Sequence, residues 1–289
     1  MINCNICPRR CNVDRNEKTG ICGVGDTLKI ARAGAHFWEE PCISGYGGSG
    51  AVFFSGCNLK CVFCQNYEIS SGCFGKEITV GRLCSIYEEL IDNGVHNINL
   101  VTPTHYADKI LKSLEKPLCV PVVYNSSGYD SVKTLQKFEG KVQIYLPDLK
   151  YLDSGLAKKY SKAADYPEVA KNAIREMYRQ TGPAVSDDEG IMQKGVIIRH
   201  LMLPGELDNT LDVIDWVADE FDNNVIFSLM SQFTPNENCK EVNLQSAVTR
   251  EEYQKAVDYM YLVGLENGYV QDFSSAKSEY TPPFDLSGV

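Results

Sequence analysis

The sequence predicts a mixed α/β fold in which six strands and their helices form a partial (β/α)6 barrel behind a small cysteine-rich N-terminal module. Three observations support this prediction. Short β-branched or aromatic runs recur after residue 50, amphipathic segments separate them, and the first 50 residues have no clear period. Strands that alternate with helices pair in parallel, so we expect the functional site at the carboxyl ends of the strands.

Six segments are predicted to be the strands of an open, TIM-like barrel. Each is a short apolar run that ends in turn or polar residues. The runs are AVFFSGC (51–57), NINLVTP (97–103), CVPVVYN (119–125), VQIYLPD (142–148), GVIIRHLML (195–203) and NVIFSLM (224–230). Between them, segments such as VGRLCSIYEELIDNG (80–94) have the apolar spacing of amphipathic helices.

The composition divides the chain into three parts. Residues 1–50 are rich in Cys, Gly and Arg and predict a small metal-stabilised module. Residues 51–235 are the predicted barrel core, and residues 236–289 are predicted to form a C-terminal helix and a tail that close the barrel. The connection at residues 154–194 is longer than the others, which predicts either a helical lid or a plain surface insertion.

Charge and hydropathy narrow the function classes. A formal net charge of −10 disfavours a protein that tracks nucleic-acid phosphates. No apolar run reaches about 18 residues and the N-terminus has no apolar signal region, so we expect a cytoplasmic protein without a membrane span. Eight of the twelve cysteines fall within the first 64 residues. In a cytosolic chain, such clustered cysteines hold metal or do chemistry more often than they form disulfides.

The stretch FFSGCNLKCVFCQ places Cys57, Cys61 and Cys64 in a C-x3-C-x2-C pattern directly after the first predicted barrel strand. A closed zinc site takes four ligands, and the next residues offer no fourth Cys or His. Three thiolates can instead hold three irons of a cubane and leave the fourth iron open to another ligand. The pattern therefore predicts a [4Fe–4S] cluster.

This motif, with Phe63 at its aromatic position, resembles the signature of the radical S-adenosylmethionine enzymes. The resemblance implies the partial barrel of that superfamily, and S-adenosylmethionine as a second cofactor that chelates the open iron. It further implies that the reduced cluster cleaves this cofactor to a 5′-deoxyadenosyl radical, which abstracts hydrogen from a substrate.

Within the superfamily, residues 51–235 resemble the pyruvate formate-lyase activating-enzyme group and its PflX-like branch. YLPDLK (145–150) is similar to the D-L-K of the fourth strand, NSSGY (125–129) takes the place of D-T-N-G, and IIRHLMLPGELDN (197–209) resembles I-R-x-x-x-x-P-G. The resemblance, together with the neighbouring residues of these motifs, assigns cofactor binding to Phe63, Gln65, Thr102, Thr104, Asn125, Ser126, Asp148, Lys150 and Arg199.

Two departures from the group leave the substrate open. VTPTHY (101–106) replaces the G-G-E that binds the amino group of S-adenosylmethionine. Thr102 and Thr104, or backbone carbonyls turned outward by Pro103, would have to substitute for it. Asn125 replaces an aspartate that helps to hold a monovalent cation, so the presence of that ion is also open.

A second cysteine set lies near the N-terminus, where Cys4, Cys7, Cys11 and Cys22 have C-x2-C-x3-C-x10-C spacing. Four thiolates in a segment too short to build its own core predict a second metal site, either structural zinc or a second iron–sulfur cluster.

Three functions stay open on the sequence. The first is an activating-enzyme-like oxidoreductase with a glycyl radical enzyme as partner and, as the resemblance implies, a low-potential flavodoxin or ferredoxin as electron donor. The second is a radical enzyme that acts on a small molecule or another peptide. The third is a non-catalytic iron–sulfur or zinc protein for electron transfer or sensing, which would not explain why the barrel motif has three ligands.

Overall fold

The computed structural model describes residues 4–235, 239–271 and 282–289. Ten strands lie within these residues, and all belong to one sheet. The strands are β1 (Leu28–His36), β2 (Ser49–Phe54), β3 (Lys76–Ile78), β4 (Ile98–Val101), β5 (Val122–Ser126), β6 (Ile144–Pro147), β7 (Val185–Ser186), β8 (Met192–Leu201), β9 (Ile226–Met230) and β10 (Gly268–Val270).

Nine α-helices lie in the same described residues, most of them between consecutive strands. They are α1 (Pro41–Ser44), α2 (Tyr67–Ser70), α3 (Val80–Asp92), α4 (Ala107–Ser113), α5 (Val132–Leu135), α6 (Ser154–Ser161), α7 (Tyr166–Thr181), α8 (Leu207–Phe221) and α9 (Arg250–Leu262). Helices α3 and α9 begin at side-chain caps: the Thr79 hydroxyl accepts from the Arg82 amide, and Thr249 forms a capping box with Glu252.

The sheet order is β10-β9-β8-β6-β5-β4-β2-β1-β3, with β7 paired to β8. The path from β2 to β10 is parallel throughout, whereas β1 is antiparallel to both β2 and β3. The two ends of this path do not pair, so the barrel is open. This architecture confirms the predicted mixed α/β partial barrel, and all six predicted strands are present. The sheet also includes β1, which lies within the first 50 residues, and the short β10.

Alternation along the strands separates an outer core from the barrel interior. Side chains such as Phe54, Leu100 and Tyr124 point outward and pack under the helices. Helix α3 meets them with Leu83, Ile86, Tyr87 and Leu90, the spacing of one helical face. Burying each such side chain contributes about 1.5–3 kcal/mol.

Helix α1 fills the amino end of the barrel interior. Its Cys42 and Ile43 pack against inward-facing residues of four strands. These residues are Val123, Ile144, Leu146, Met192, Ile197 and Ile226. At these four strands, the amino end of the barrel interior is therefore an apolar core.

Residues 154–194 supply two helices and the short strand β7. Helix α7 packs on the outside of β6 and β8 through Ala170, Ala173, Ile174 and Met177. It thus occupies the place of a barrel helix and does not cover the site as a lid.

The described C-terminal parts lie at the two edges of the sheet. The amide of Leu286 donates to the Ala31 carbonyl, and the amide of Ala33 donates to the Ser287 carbonyl, so the last residues run beside β1. Residues 236–238 and 272–281 of the predicted tail lie outside the described residues. No helix in the described part of the chain is long and apolar enough to cross a membrane.

Candidate active site

The three-cysteine loop, residues 57–64, follows the carboxyl end of β2, as predicted. Cys57 and Cys61 are buried and Cys64 is partly buried. The chain enters the loop through Gly56 at φ +85°, where an added Cβ would lie 2.8 Å from the Cys22 carbonyl oxygen. A glycine is therefore required at this turn.

Polar groups surround the loop sulfurs. The Ser70 hydroxyl donates to the Cys64 Sγ and the Ser161 hydroxyl donates to the Cys61 Sγ, each at 3.2 Å. Burial raises the pKa of the Cys57 thiol to about 12 and raises that of Cys64, so bare thiolates are costly here. Metal-bound thiols are deprotonated outright, and hydroxyl donors stabilise their charge. The donor set therefore fits an iron–sulfur cluster with one open iron.

A network of four charged side chains lies inside the barrel beside this loop. The Asp148 carboxylate binds the Lys150 Nζ at 2.7 Å and the Arg199 Nε at 3.1 Å. The Arg199 Nη1 also binds the Glu39 Oε2 at 3.0 Å, and its Nη2 donates to the Asn125 Oδ1 at 2.7 Å. Two cations thus balance two anions.

The pairing keeps these groups ionised. Burial opposes the charge of Asp148, but the Lys150 ammonium and the Arg199 guanidinium hold the pKa of its carboxyl below the usual value. Burial likewise opposes the charge of Lys150, yet Asp148 raises the pKa of its ammonium. Each charge depends on its partners, so the network is fixed as a unit.

Glu39 and Glu40 were not predicted from the sequence. Glu39 precedes α1 and reaches into the barrel, where its Oε1 accepts from the side-chain amides of Asn99 and Asn125 at 3.1 and 3.2 Å. Burial raises the pKa of Glu40, whose Oε2 has no hydrogen-bond partner among the described residues. The one sequence signal was an acidic pair, in FWEEP, within a segment that has no period.

Asp130 is a second polar centre that the sequence did not indicate. It is buried and accepts hydrogen bonds from Thr104 Oγ1 at 2.7 Å, Ser126 Oγ at 2.6 Å and Tyr124 OH at 2.9 Å. The hydroxyls of Thr104 and Ser126 are therefore engaged in holding the loop after β5.

Thr102 has a left-handed backbone, with φ +62°. Its amide donates to the Asn125 carbonyl at 2.8 Å and ties the end of β4 to β5. A β-branched residue in this region costs on the order of 1–3 kcal/mol, and such strain clusters at ligand sites. The strain falls at the position where the sequence departs from G-G-E.

Phe63 and Gln65 fix the far side of the loop. Phe63 is buried and meets the rings of Tyr151, Tyr160 and Phe233 edge-on, at centroid distances of 6.4, 6.1 and 6.2 Å. Gln65 Nε2 donates to the Gln232 carbonyl at 2.9 Å. These contacts hold the loop over the mouth of the barrel.

An open cleft joins the loop to the charged network. All three loop cysteines line it, and so do eight of the nine residues assigned to cofactor binding. These eight are Phe63, Gln65, Thr102, Asn125, Ser126, Asp148, Lys150 and Arg199. Thr104 is not among the residues that line this cleft.

The N-terminal cysteines lie behind the loop and are not part of the cleft lining. Cys7 and Cys22 are buried, and Cys4 and Cys11 are partly buried. The Cys22 carbonyl accepts from the Cys57 amide at 3.2 Å, so the two cysteine sets are in direct backbone contact.

A comparison with known protein families covers the three-cysteine loop. Residues 43–145 match the family model described as a 4Fe-4S single cluster domain. The chain is also 32% identical over 269 residues to the uncharacterized protein MJ0674 of Methanocaldococcus jannaschii, an alignment that covers 89% of this chain and 73% of that protein.

Solved structures share the fold at low sequence identity. Streptococcus suis SuiB bound to S-adenosylmethionine has a TM-score of 0.52 and 16% identity, over 76% of this chain and 49% of SuiB. SuiB bound to the precursor peptide SuiA has a TM-score of 0.50 and 16% identity, over 71% of this chain and 44% of SuiB. The chain thus spans about half the length of SuiB, and the likeness supports the predicted fold.

Proposed function

We propose that this chain, which belongs to the same family as Methanocaldococcus jannaschii MJ0674, is a radical S-adenosylmethionine enzyme. Its cofactors are a [4Fe–4S] cluster on Cys57, Cys61 and Cys64, and S-adenosylmethionine in the adjoining cleft. One observation carries this assignment: among the described residues, three cysteines and no fourth line a cleft that Asp148, Lys150 and Arg199 of the buried charge network also line.

The residues of the cleft have separate tasks. When bound, a reduced cluster supplies the electron that cleaves S-adenosylmethionine to methionine and a 5′-deoxyadenosyl radical. Asp148 and Lys150 offer an acceptor and a donor to the polar ends of the cofactor, and Arg199 holds Asp148 in place. Phe63 and its three ring partners keep water from one side of the loop.

The finer proposal is an activating-enzyme-like function, in which the hydrogen comes from a backbone glycine of a partner glycyl radical enzyme. Support comes from the similarity of YLPDLK (145–150) and of the Arg199 segment to the activating-enzyme group. In this chain, the polar side chains of both segments line the cleft. A low-potential flavodoxin or ferredoxin would deliver the electron.

A second candidate is a radical enzyme for another peptide or a small molecule. The strained Thr102 segment in place of G-G-E favours it, because that segment contacts the cleft. The fold likeness to SuiB, which has been solved with a precursor peptide, makes peptides the first class to examine.

Cofactor cleavage tests the enzyme assignment. Anaerobically reconstituted protein with dithionite should convert S-adenosylmethionine to 5′-deoxyadenosine, measured by chromatography. Cys57→Ala, Cys61→Ala and Cys64→Ala should each abolish the product, while Cys119→Ala, at an exposed cysteine, should retain it. Product formation by any of the first three variants would reject the assigned cluster ligands, and no product from the wild type would favour a non-catalytic metal protein.

Two experiments, detection of a glycyl radical and isotope transfer, separate the two substrate classes. The protein is mixed with candidate glycyl radical enzymes and examined for a glycyl radical by electron paramagnetic resonance. A glycyl signal supports the activating function. No signal with any partner, together with deuterium transfer from a labelled peptide or metabolite into 5′-deoxyadenosine, supports the second candidate.

A further inference from the structure

The N-terminal segment lacks the usual means of holding a fold. Residues 4–27 contain neither helix nor strand, and the cysteines in this segment are free thiols. Even so, Cys7 and Cys22 are each 6% exposed. A structural metal is one of the devices that stabilise an irregular segment without a disulfide.

The four cysteines of this segment lie near one another. An added Cβ on Gly20 would lie 3.4 Å from both the Cys11 Sγ and the Cys22 Sγ, so these sulfurs flank the same residue. The Ile21 amide donates to the Cys11 Sγ at 3.3 Å. Cys4 exchanges backbone hydrogen bonds with residues 12 and 13, which places it beside Cys11. Cys7 is close enough to the other three thiols to interact with them electrostatically.

We propose that Cys4, Cys7, Cys11 and Cys22 bind one thiolate-ligated metal centre, separate from the barrel cluster, which clamps the cluster loop. Within the described residues, no three cysteine, histidine or acidic side chains converge on a ready-made ion position, and this holds for the loop cysteines as well. The four thiols therefore move closer together when they bind a single ion, or they bind a larger iron–sulfur cluster at a wider spacing. Zinc and iron–sulfur are the two sources of this chemistry.

The clamp acts through Cys22 and Arg9. The Cys22 carbonyl accepts from the Cys57 amide, which places the metal segment against the first cluster ligand. Arg9, between Cys7 and Cys11, donates to the carbonyls of Asn58 and Leu59 at 2.8 and 3.3 Å.

Arg9 also joins the cluster loop to the end of α6. The same guanidinium donates to the carbonyls of Ser161 and Lys162 at 2.8 and 2.7 Å. It lies 5.1 Å from the ring centroid of Tyr129. A single side chain of the N-terminal segment thus binds both the loop and the end of α6.

Metal analysis of the full chain tests the centre independently of the proposed function. A variant with Cys57→Ser, Cys61→Ser and Cys64→Ser is purified anaerobically, and its zinc, iron and sulfide are measured. About one zinc per chain, or iron with matching sulfide, supports the centre and identifies its metal. A metal-free variant that circular dichroism shows to be folded, and that gives no thiolate-to-Co²⁺ absorption when titrated with Co²⁺, overturns it.

The ligands are then removed in the same background. Adding Cys7→Ser and Cys22→Ser should abolish the metal, whereas Cys84→Ser and Cys119→Ser should retain it. If unfolding obscures the first variant, metal release from the background protein on titration of its thiols with a mercurial gives the same answer. Retention of the metal after all thiols have reacted overturns the assignment.

The clamp has its own test, which does rest on the proposed cluster. Arg9→Ala should speed iron loss from the reconstituted loop to a chelator about tenfold, because several hydrogen bonds to the loop and α6 are removed. Arg10→Ala, at an exposed neighbouring position, is the control and should match the wild type. Equal rates for both variants would leave the metal centre in place and overturn the clamp.

Discussion

The two ends of the barrel interior are built from the same strands and have opposite chemistry. The apolar residues packed against Cys42 and Ile43 of α1 form a plug at the amino end. On β5, Val123 belongs to this plug, and two residues later Asn125 accepts a hydrogen bond from Arg199. On β8, Ile197 belongs to the plug and Arg199 to the charged network. Residues two apart on a strand face the same side of the sheet. The inward-facing side chains of one strand therefore change from apolar core residues to site residues within two positions.

The difference shows how the fold separates stability from chemistry. The amino end gains free energy from each apolar side chain that it buries. The carboxyl end buries charges, and the cost of their desolvation is returned through mutual pairing, so this end adds little net stability. Substitutions at the two ends should therefore have different consequences.

The largest expected effect comes from removing Arg199. Arg199→Leu leaves Asp148 and Glu39 without a shared cation, and breaking such a buried network costs about 3–5 kcal/mol of unfolding free energy. Urea denaturation measures the loss, and S-adenosylmethionine binding should fall with it. Arg82→Leu, which breaks the exposed pair with Glu89, is the matched control and should unfold like the wild type. A similar, small change in both variants would contradict the coupled network.

A smaller loss is expected at the amino end. Ile144→Ala opens a cavity in the plug and should cost about 3 kcal/mol by the same measurement. Since Ile144 does not line the cleft, the rate of cofactor cleavage per folded molecule should stay unchanged. Leu262→Ala, at a side chain that is 79% exposed, controls for the loss of leucine-sized bulk. A drop in the cleavage rate would show that the two ends are not independent.

The smallest expected effect is a gain in stability. Thr102→Asn keeps a polar side chain and tolerates the left-handed backbone better, so the unfolding free energy should rise by about 1 kcal/mol. Thr19→Asn, at a threonine with negative φ, should give no such gain. Calorimetric binding of S-adenosylmethionine then tells whether the Thr102 side chain or its backbone contacts the cofactor. Unchanged stability would mean that Thr102 stores no strain.

The sequence predicted those parts that depend on local pattern. The six barrel strands are continuous apolar runs, and Cys57, Cys61 and Cys64 are close in the chain, so periodicity and spacing were sufficient. Strand β1 was missed because Arg32 and Gly34 interrupt its apolar residues, and β10 because it has three residues.

Residues brought together by distant strands were harder to predict. Arg199 and Asp148 were found through resemblance, but Glu39 meets Arg199 across 160 positions, and no spacing rule connects them. Asp130 likewise accepts hydrogen bonds from three hydroxyls in two segments, Thr104 after β4 and Tyr124 and Ser126 on β5. Thr104, assigned to the cofactor as a substitute for G-G-E, donates to the buried Asp130 and is not among the residues that line the cleft.

The hydrogen bonds of the cluster loop also determine when the loop can fold during synthesis of the chain. The Val62 amide donates to the Tyr160 carbonyl, and Arg9 reaches Lys162, about a hundred residues after the last loop cysteine. Because domains emerge from the ribosome amino end first, the loop cannot take its final shape until α6 has been made. During that interval the loop lacks its contacts with α6, so its thiols are less well buried than in the finished fold.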